Sequence, residues 1–211
     1  IVPANLAISN YSFVNQYAIA FLGYFTILVL LLILAISRKS RKEKEQLMVR
    51  AQRDSLTGLY NKETTQNLIS EIVSDGKMHG FMILDIDFFK SVNDTYGHAV
   101  GDKVLSAVGN LFQMQFRNQD IIGRIGGDEF IILMRDIQNN EIIEERINCL
   151  FEQVRNLSVP ELGEARITLS VGVAISPKDG NTFIELYRHA DKALYKVKSE
   201  GRNNYQRYKK M

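Results

Sequence analysis

Thiols, imidazoles and surplus positive charge are all scarce in this chain, and each shortage removes a class of explanation. Among 211 residues there is one cysteine, Cys149. A lone thiol builds no intrachain disulfide framework and no zinc spacing; on the helical pattern of residues 147–151 it reads as a small core residue. The three histidines, His79, His98 and His189, are scattered and form no ligand motif. No repeat period or low-complexity tract is present. The net charge is only +2. Residues 38–45 alone hold five basic and two acidic side chains, so everything else sums to −1. That leaves no distributed basic face to grip a nucleic-acid backbone, and no nucleic-acid partner is expected.

Charge is missing altogether from residues 1–37. Residues 17–36 form twenty predominantly apolar residues, about 30 Å of helix at ~1.5 Å per residue, the thickness of a bilayer core. A signal peptide fits less well, since its apolar region would be shorter and end at a small-residue cleavage site. Arg38, Lys39, Arg41, Lys42 and Lys44 follow directly. The basic flank belongs in the cytoplasm, so the expectation is a single-pass membrane helix with everything after it cytoplasmic. Residues 1–16, starting at Ile1 rather than Met, are expected to be an extracytoplasmic tail, the end of a sensor domain. Residues 37–53 read as a juxtamembrane helix for signalling and dimerisation, with Leu47, Ala51 and Asp54 at 4–3 spacing. Residues 54–211 form the globular domain.

Two motifs stand out in that domain. Gly126-Gly127-Asp128-Glu129-Phe130 lies between the apolar runs 121–125 and 130–134. Adjacent glycines there predict a tight hairpin turn with φ > 0 at both. Carboxylates beside bare backbone can hold a divalent cation while a phosphate approaches. The second motif follows the buried strand signal 81–84: Asp85 and Asp87 leave a strand end, where α/β sheets gather their sites. Asp87 has a plain alternative, capping the next helix. Asp85 has none, and Asp85 with Asp128 would make an oxygen-rich Mg²⁺ site.

Taken in order, the motifs 54–62, 85–93, 93–102, 126–130 and 190–203 resemble the GGDEF-domain diguanylate cyclases, which join two GTP into cyclic di-GMP and pyrophosphate. Lys62 departs from the arginine usual there. The resemblance implies a palm-like, nucleotide-cyclase-like fold. It makes Asp85, Asp128 and the carbonyl of Ile86 ligands of Mg²⁺ (or Mn²⁺), with Glu129 beside the ribose or metal and Gly126 and Gly127 admitting the nucleotide. It places Phe89, Lys90, Lys198 and Arg202 on phosphates, and Asn93 and Asp102 on guanine, whose N1–H and 2-amino donors adenine lacks. It turns Arg117-Asn118-Gln119-Asp120, which alone reads as a surface ion pair, into an RxxD site where cyclic di-GMP inhibits, with Arg146 as a second arginine. It implies a homodimer on the bacterial inner membrane. The alternative is an inactive GGDEF domain that binds GTP or cyclic di-GMP.

Periodicity predicts helices over 62–74, 101–116, 140–156 and 181–199, strands over 81–87, 121–134 (a hairpin), 166–175 and 205–208. The expected class is α/β, a mixed central sheet flanked by helices, preceded by one transmembrane helix.

Overall fold

A computed structural model describes the backbone from Ala4 to Lys210, and side chains at residues 17–18, 21–44 and 51–210. The tail expected over residues 1–16 thus begins outside the described residues, and Leu47 of the 4–3 spacing lies outside the described side chains. The chain divides into two units, residues 1–51 and 52–211.

The first unit is one helix, α1 (Ala4–Ala51). Its stretch Phe21–Lys44 is long and apolar enough to cross a membrane by length and composition. All of its described side chains are exposed within the unit.

The second unit runs α2 (Lys62–Ile72), β1 (His79–Ile86), α3 (Phe89–Tyr96), α4 (His98–Gln115), β2 (Ile121–Arg124), β3 (Glu129–Met134), α5 (Glu141–Arg155), a 3-10 turn (Pro160–Leu162), β4 (Leu169–Ser176), α6 (Phe183–Ser199) and β5 (Asn204–Arg207). The sheet order is β2-β3-β1-β4-β5. All pairings are antiparallel except β4–β5, so the sheet is mixed and flanked by helices, as the sequence predicts. Buried strands alternate between two apolar layers. Met82, Leu84, Ile86, Phe130 and Ile132 pack towards α4 and α5. Phe81, Ile83, Ile131 and Leu133 pack with α2 and α6. Phe112 meets Phe130 edge-on at 5.2 Å.

Local chemistry sets the element ends. The Asn61 side chain accepts from Thr64 N–H and starts α2. Thr182 accepts from Glu185 N–H while Glu185 accepts from Thr182 and from Asn181 N–H, a reciprocal cap that starts α6. Gly97, at φ 84, separates α3 from α4, and its carbonyl accepts from Val100 and Gly101. This break starts α4 three residues before the predicted start. Gly172 sits under α6: a Cβ there would lie 2.0 Å from the Ala190 carbonyl oxygen, so the helix backbone rests on bare strand. Lys192, Lys196, Arg207, Lys209 and Lys210 line one groove of about 550 Å³ beside β5, a local basic cluster that the near-neutral net charge conceals.

Candidate active site

Strand parity decides which side chains meet. Asp85 shares the odd-numbered face of β1 with Phe81 and Ile83, the face that packs with α6. Across the β1–β3 ladder Asp85 is the register partner of Glu129. Lys198, in the last turn of α6, brings Nζ to 2.7 Å from Asp85 Oδ2. Burial raises the Asp85 pKa, and Asp128 and Asp87 push it the same way against the opposing pull of Lys198. Burial also raises that of Glu129, helped by Asp85, Asp128 and Asp191. Carboxylates that raise one another's pKa are crowded negative charge with too little positive compensation. Hard oxygens in that state are the kind of donor that suits a cation such as Mg²⁺ or Mn²⁺.

The turn that presents Asp128 differs from the expected tight turn. Residues 125–128 form a four-residue loop closed by Ile125 N–H donating to the Glu129 carbonyl at 3.0 Å. Gly126 and Gly127 are not among the glycines of positive φ. Their value here is space. A Cβ on Gly127 would meet nothing within 4 Å, and one on Gly126 would press on Glu129 Oε2 at 3.3 Å. Ile86 N–H donates to the Asp128 carbonyl at 3.3 Å and ties the loop to the end of β1. Arg124, which the sequence did not flag, grips the loop from the other side. Its Nη2 donates to the Gly127 carbonyl at 2.8 Å and its Nη1 to Asp54 Oδ1 at 3.1 Å.

Asp87 does not cap α3; the N-cap is Phe88, with no side-chain cap bond. The Asp87 carboxylate accepts instead from Thr168 Oγ1, Ser170 Oγ and Asn203 N–H, at 2.7, 2.6 and 3.0 Å. These bonds pin the loop after α6 against the strand exit. Arg202 in that loop lays its guanidinium 4.6 Å from the Phe88 ring centroid. The backbone N–H groups of Phe89 and Lys90 open α3 and have no intrahelical acceptor. Asn93 on α3 faces Gly101 on α4 so closely that a Cβ at Gly101 would lie 1.9 Å from Asn93 Oδ1. Asp102 follows, exposed.

The family described as diguanylate cyclase, GGDEF domain, matches residues 51–204. The chain belongs to the GGDEF family. It is 35% identical over 169 residues to "Probable diguanylate cyclase DgcC" of Escherichia coli K12, covering 78% of this chain and 45% of the relative. It is 34% identical over 169 residues to "Cyclic di-GMP phosphodiesterase PdeR" of the same organism, covering 79% of this chain and 25% of the relative. This chain therefore spans less than half the length of the curated relatives it matches. Among solved structures, the coiled coil and GGDEF domain of DgcB from Caulobacter crescentus, in complex with c-di-GMP, superimposes with a TM-score of 0.75. It is 25% identical, with 82% of this chain and 94% of that chain covered.

Away from the GGDEF loop, Arg117 and Asp120 line a pocket of about 330 Å³. Asp120 is buried and accepts from Arg117 N–H at 2.9 Å and Arg135 N–H at 3.0 Å, so it also shapes its own loop. Arg146 is not in this pocket. Its Nη1 donates to the Gln115 carbonyl at 2.7 Å, at the end of α4. Arg53 occupies the pocket wall instead. Asp75, His79 and Asp136 also cluster. There Asp136 N–H donates to His79 Nδ1 at 3.2 Å, which leaves Nε2–H to donate to Asp75 at 2.9 Å. Both imidazole nitrogens are satisfied in this arrangement, which ties the buried His79 ring between two exposed carboxylates.

Proposed function

We propose that this chain is a membrane-anchored diguanylate cyclase that condenses two GTP into cyclic di-GMP and two pyrophosphates. The observation that carries the reading is the register pair of Asp85 and Glu129 beside Asp128, with Lys198 2.7 Å from Asp85. Asp85, Asp128 and the Ile86 carbonyl would hold Mg²⁺ or Mn²⁺. When bound, the ion neutralises phosphate charge and eases ionisation of the attacking 3′-hydroxyl. Phe89 and Lys90 offer backbone donors to phosphate, and Arg202 and Lys198 offer charge. Lys198 exchanges its carboxylate partner for the nucleotide. Asn93 and Asp102 take the guanine edge, and the bare backbone at Gly127 admits the nucleotide closely.

In this reading residues 17–36 span the inner membrane once, residues 37–53 continue as the dimerising helix, and residues 54–211 are the cytoplasmic catalytic domain. Each domain holds one GTP, so a homodimer supplies both halves of the product. Cyclic di-GMP binding at Arg117 and Asp120 inhibits. Incubating the detergent-solubilised chain with GTP and Mg²⁺ should yield cyclic di-GMP, and Asp128→Ala should abolish it. A wild-type chain that binds GTP without forming product would instead be the binding module.

A further inference from the structure

Residues 52–61 join α1 to α2 as a stitched loop. Asn61 N–H donates to the Gln52 carbonyl at 3.0 Å and Asp54 N–H to Leu59 at 2.8 Å. Tyr60 is laced onto β2, donating to Ile122 at 3.1 Å and accepting from Arg124 at 2.9 Å. Its ring is therefore a fixed surface. The Arg53 guanidinium lies 4.1 Å from that ring's centroid, and Nη1 donates to the Gly58 carbonyl at 3.1 Å. An exposed arginine is ordinarily mobile; this one is held flat by a ring and a carbonyl. Arg53 and Tyr60 form one wall of the pocket to which Arg117 and Asp120 also belong.

We propose that Arg53 is the second arginine of the product-binding pocket, the part that the family resemblance gives to Arg146. This rests on the reading of Arg117 and Asp120 as the product site. A cyclic dinucleotide carries two phosphodiesters and two flat bases, so it needs separated cations and stacking faces. Arg117 and Arg53 supply cations from two different loops. Tyr60 covers one face of the Arg53 guanidinium, and among the described residues the guanidinium's one hydrogen bond is from Nη1 to the Gly58 carbonyl, so the other face suits a guanine and the remaining N–H groups suit a phosphate oxygen. Pre-ordering by Tyr60 lowers the entropy lost when the ligand closes on the side chain. The residue after Arg53 is Asp54, which holds Arg124, which holds the Gly127 carbonyl. Product bound to Arg53 therefore touches the first member of a contact chain that ends on the GGDEF loop.

The test is calorimetric binding of cyclic di-GMP to the full chain in detergent. Arg53→Ala should weaken binding about tenfold, the loss of one charge-assisted contact of about 1.4 kcal/mol. Arg53→Lys should recover part of that, because it keeps charge and loses the flat stack. Arg146→Ala should leave affinity at the wild-type value. If Arg117→Ala weakens binding while Arg53→Ala does not, the role of Arg53 is overturned and the pocket stands. If neither substitution changes affinity, the pocket itself is not the product site. An unchanged melting temperature for Arg53→Ala shows that affinity, not folding, has been read.

Discussion

Phe88 is in two unfavourable situations at once. It is a non-glycine residue at φ 56, and its ring is 62% exposed. The left-handed backbone alone costs about 1–2 kcal/mol. The ring's contact is Arg202, whose own φ is 64. A cation–π contact of about 0.5–1 kcal/mol corresponds to a factor of about two to five in binding. Phe88→Gly should therefore raise thermal stability while raising KM for GTP about two- to fivefold, and Phe88→Trp should restore KM. A purely structural Phe88 would move only stability. Gly101 makes a second case. Gly101→Ala must push Asn93 aside, because the new Cβ would lie 1.9 Å from its Oδ1. The expected result is a rise in KM for GTP of about tenfold, equivalent to one misplaced hydrogen bond. An unchanged KM would remove Asn93 from base recognition. Asp85, Asp128 and Glu129 were legible in the sequence because strand parity and a loop motif mark them locally. Asp87 was not: its acceptor role joins residues up to 116 positions away, and no local pattern encodes that. The Arg124–Asp54 contact, 70 positions apart, was hidden for the same reason.

At the scale of elements, the hydrophobic period located the sheet strands and the long helices of the second unit; it placed the start of α2, the outer ends of the β2–β3 hairpin and the end of α6 to the residue, and the other ends within three residues. β1 ends at Ile86, yet Asp87 N–H still donates to the Thr168 carbonyl in register with the β1–β4 ladder, so the pairing reaches one residue beyond the strand. The GGDEF loop spans four residues because Arg124 and Ile86 hold it open from both sides. The loop leading into α2 carries one carboxylate whose contribution to stability responds to acid. Burial pushes the Asp54 pKa up, but bonds from Thr57 and Arg124 outweigh this and leave it below its ordinary value of 3.8. A lowered carboxylate pKa adds stability above the ordinary value and loses it as pH falls through the lowered one. Asp85 and Glu129 have the opposite sign: their contribution is present at low pH and lost as pH rises through their raised values. Replacing Asp54 isolates its share. Between about pH 5 and pH 2 the wild-type melting temperature should fall more steeply than that of Asp54→Asn. Parallel melting curves would mean that the Asp54–Arg124 pair contributes nothing to stability.

For the whole molecule, the family resemblance reached further than periodicity, because five ordered motifs report a fold that no single segment specifies. The proposed dimerisation is tested at this scale. Specific activity of the solubilised chain should rise with protein concentration, and mixing in Asp128→Ala should depress it by forming dead pairs. Concentration-independent activity in a proven monomer would exclude the two-site mechanism. The origin of the site's positive charge has a separate consequence. In sequence, though not in space, Lys198 and Arg202 lie far from Asp85, which emerges from the ribosome more than a hundred residues earlier. During synthesis the carboxylate cluster therefore waits without its counter-charges, and the ladder from β1 to β3 can form before α6 exists. The internal charge balance of this site is consequently among the last features the domain acquires as it is made, and a chain stalled before α6 would hold the acidic loop without Lys198 beside Asp85.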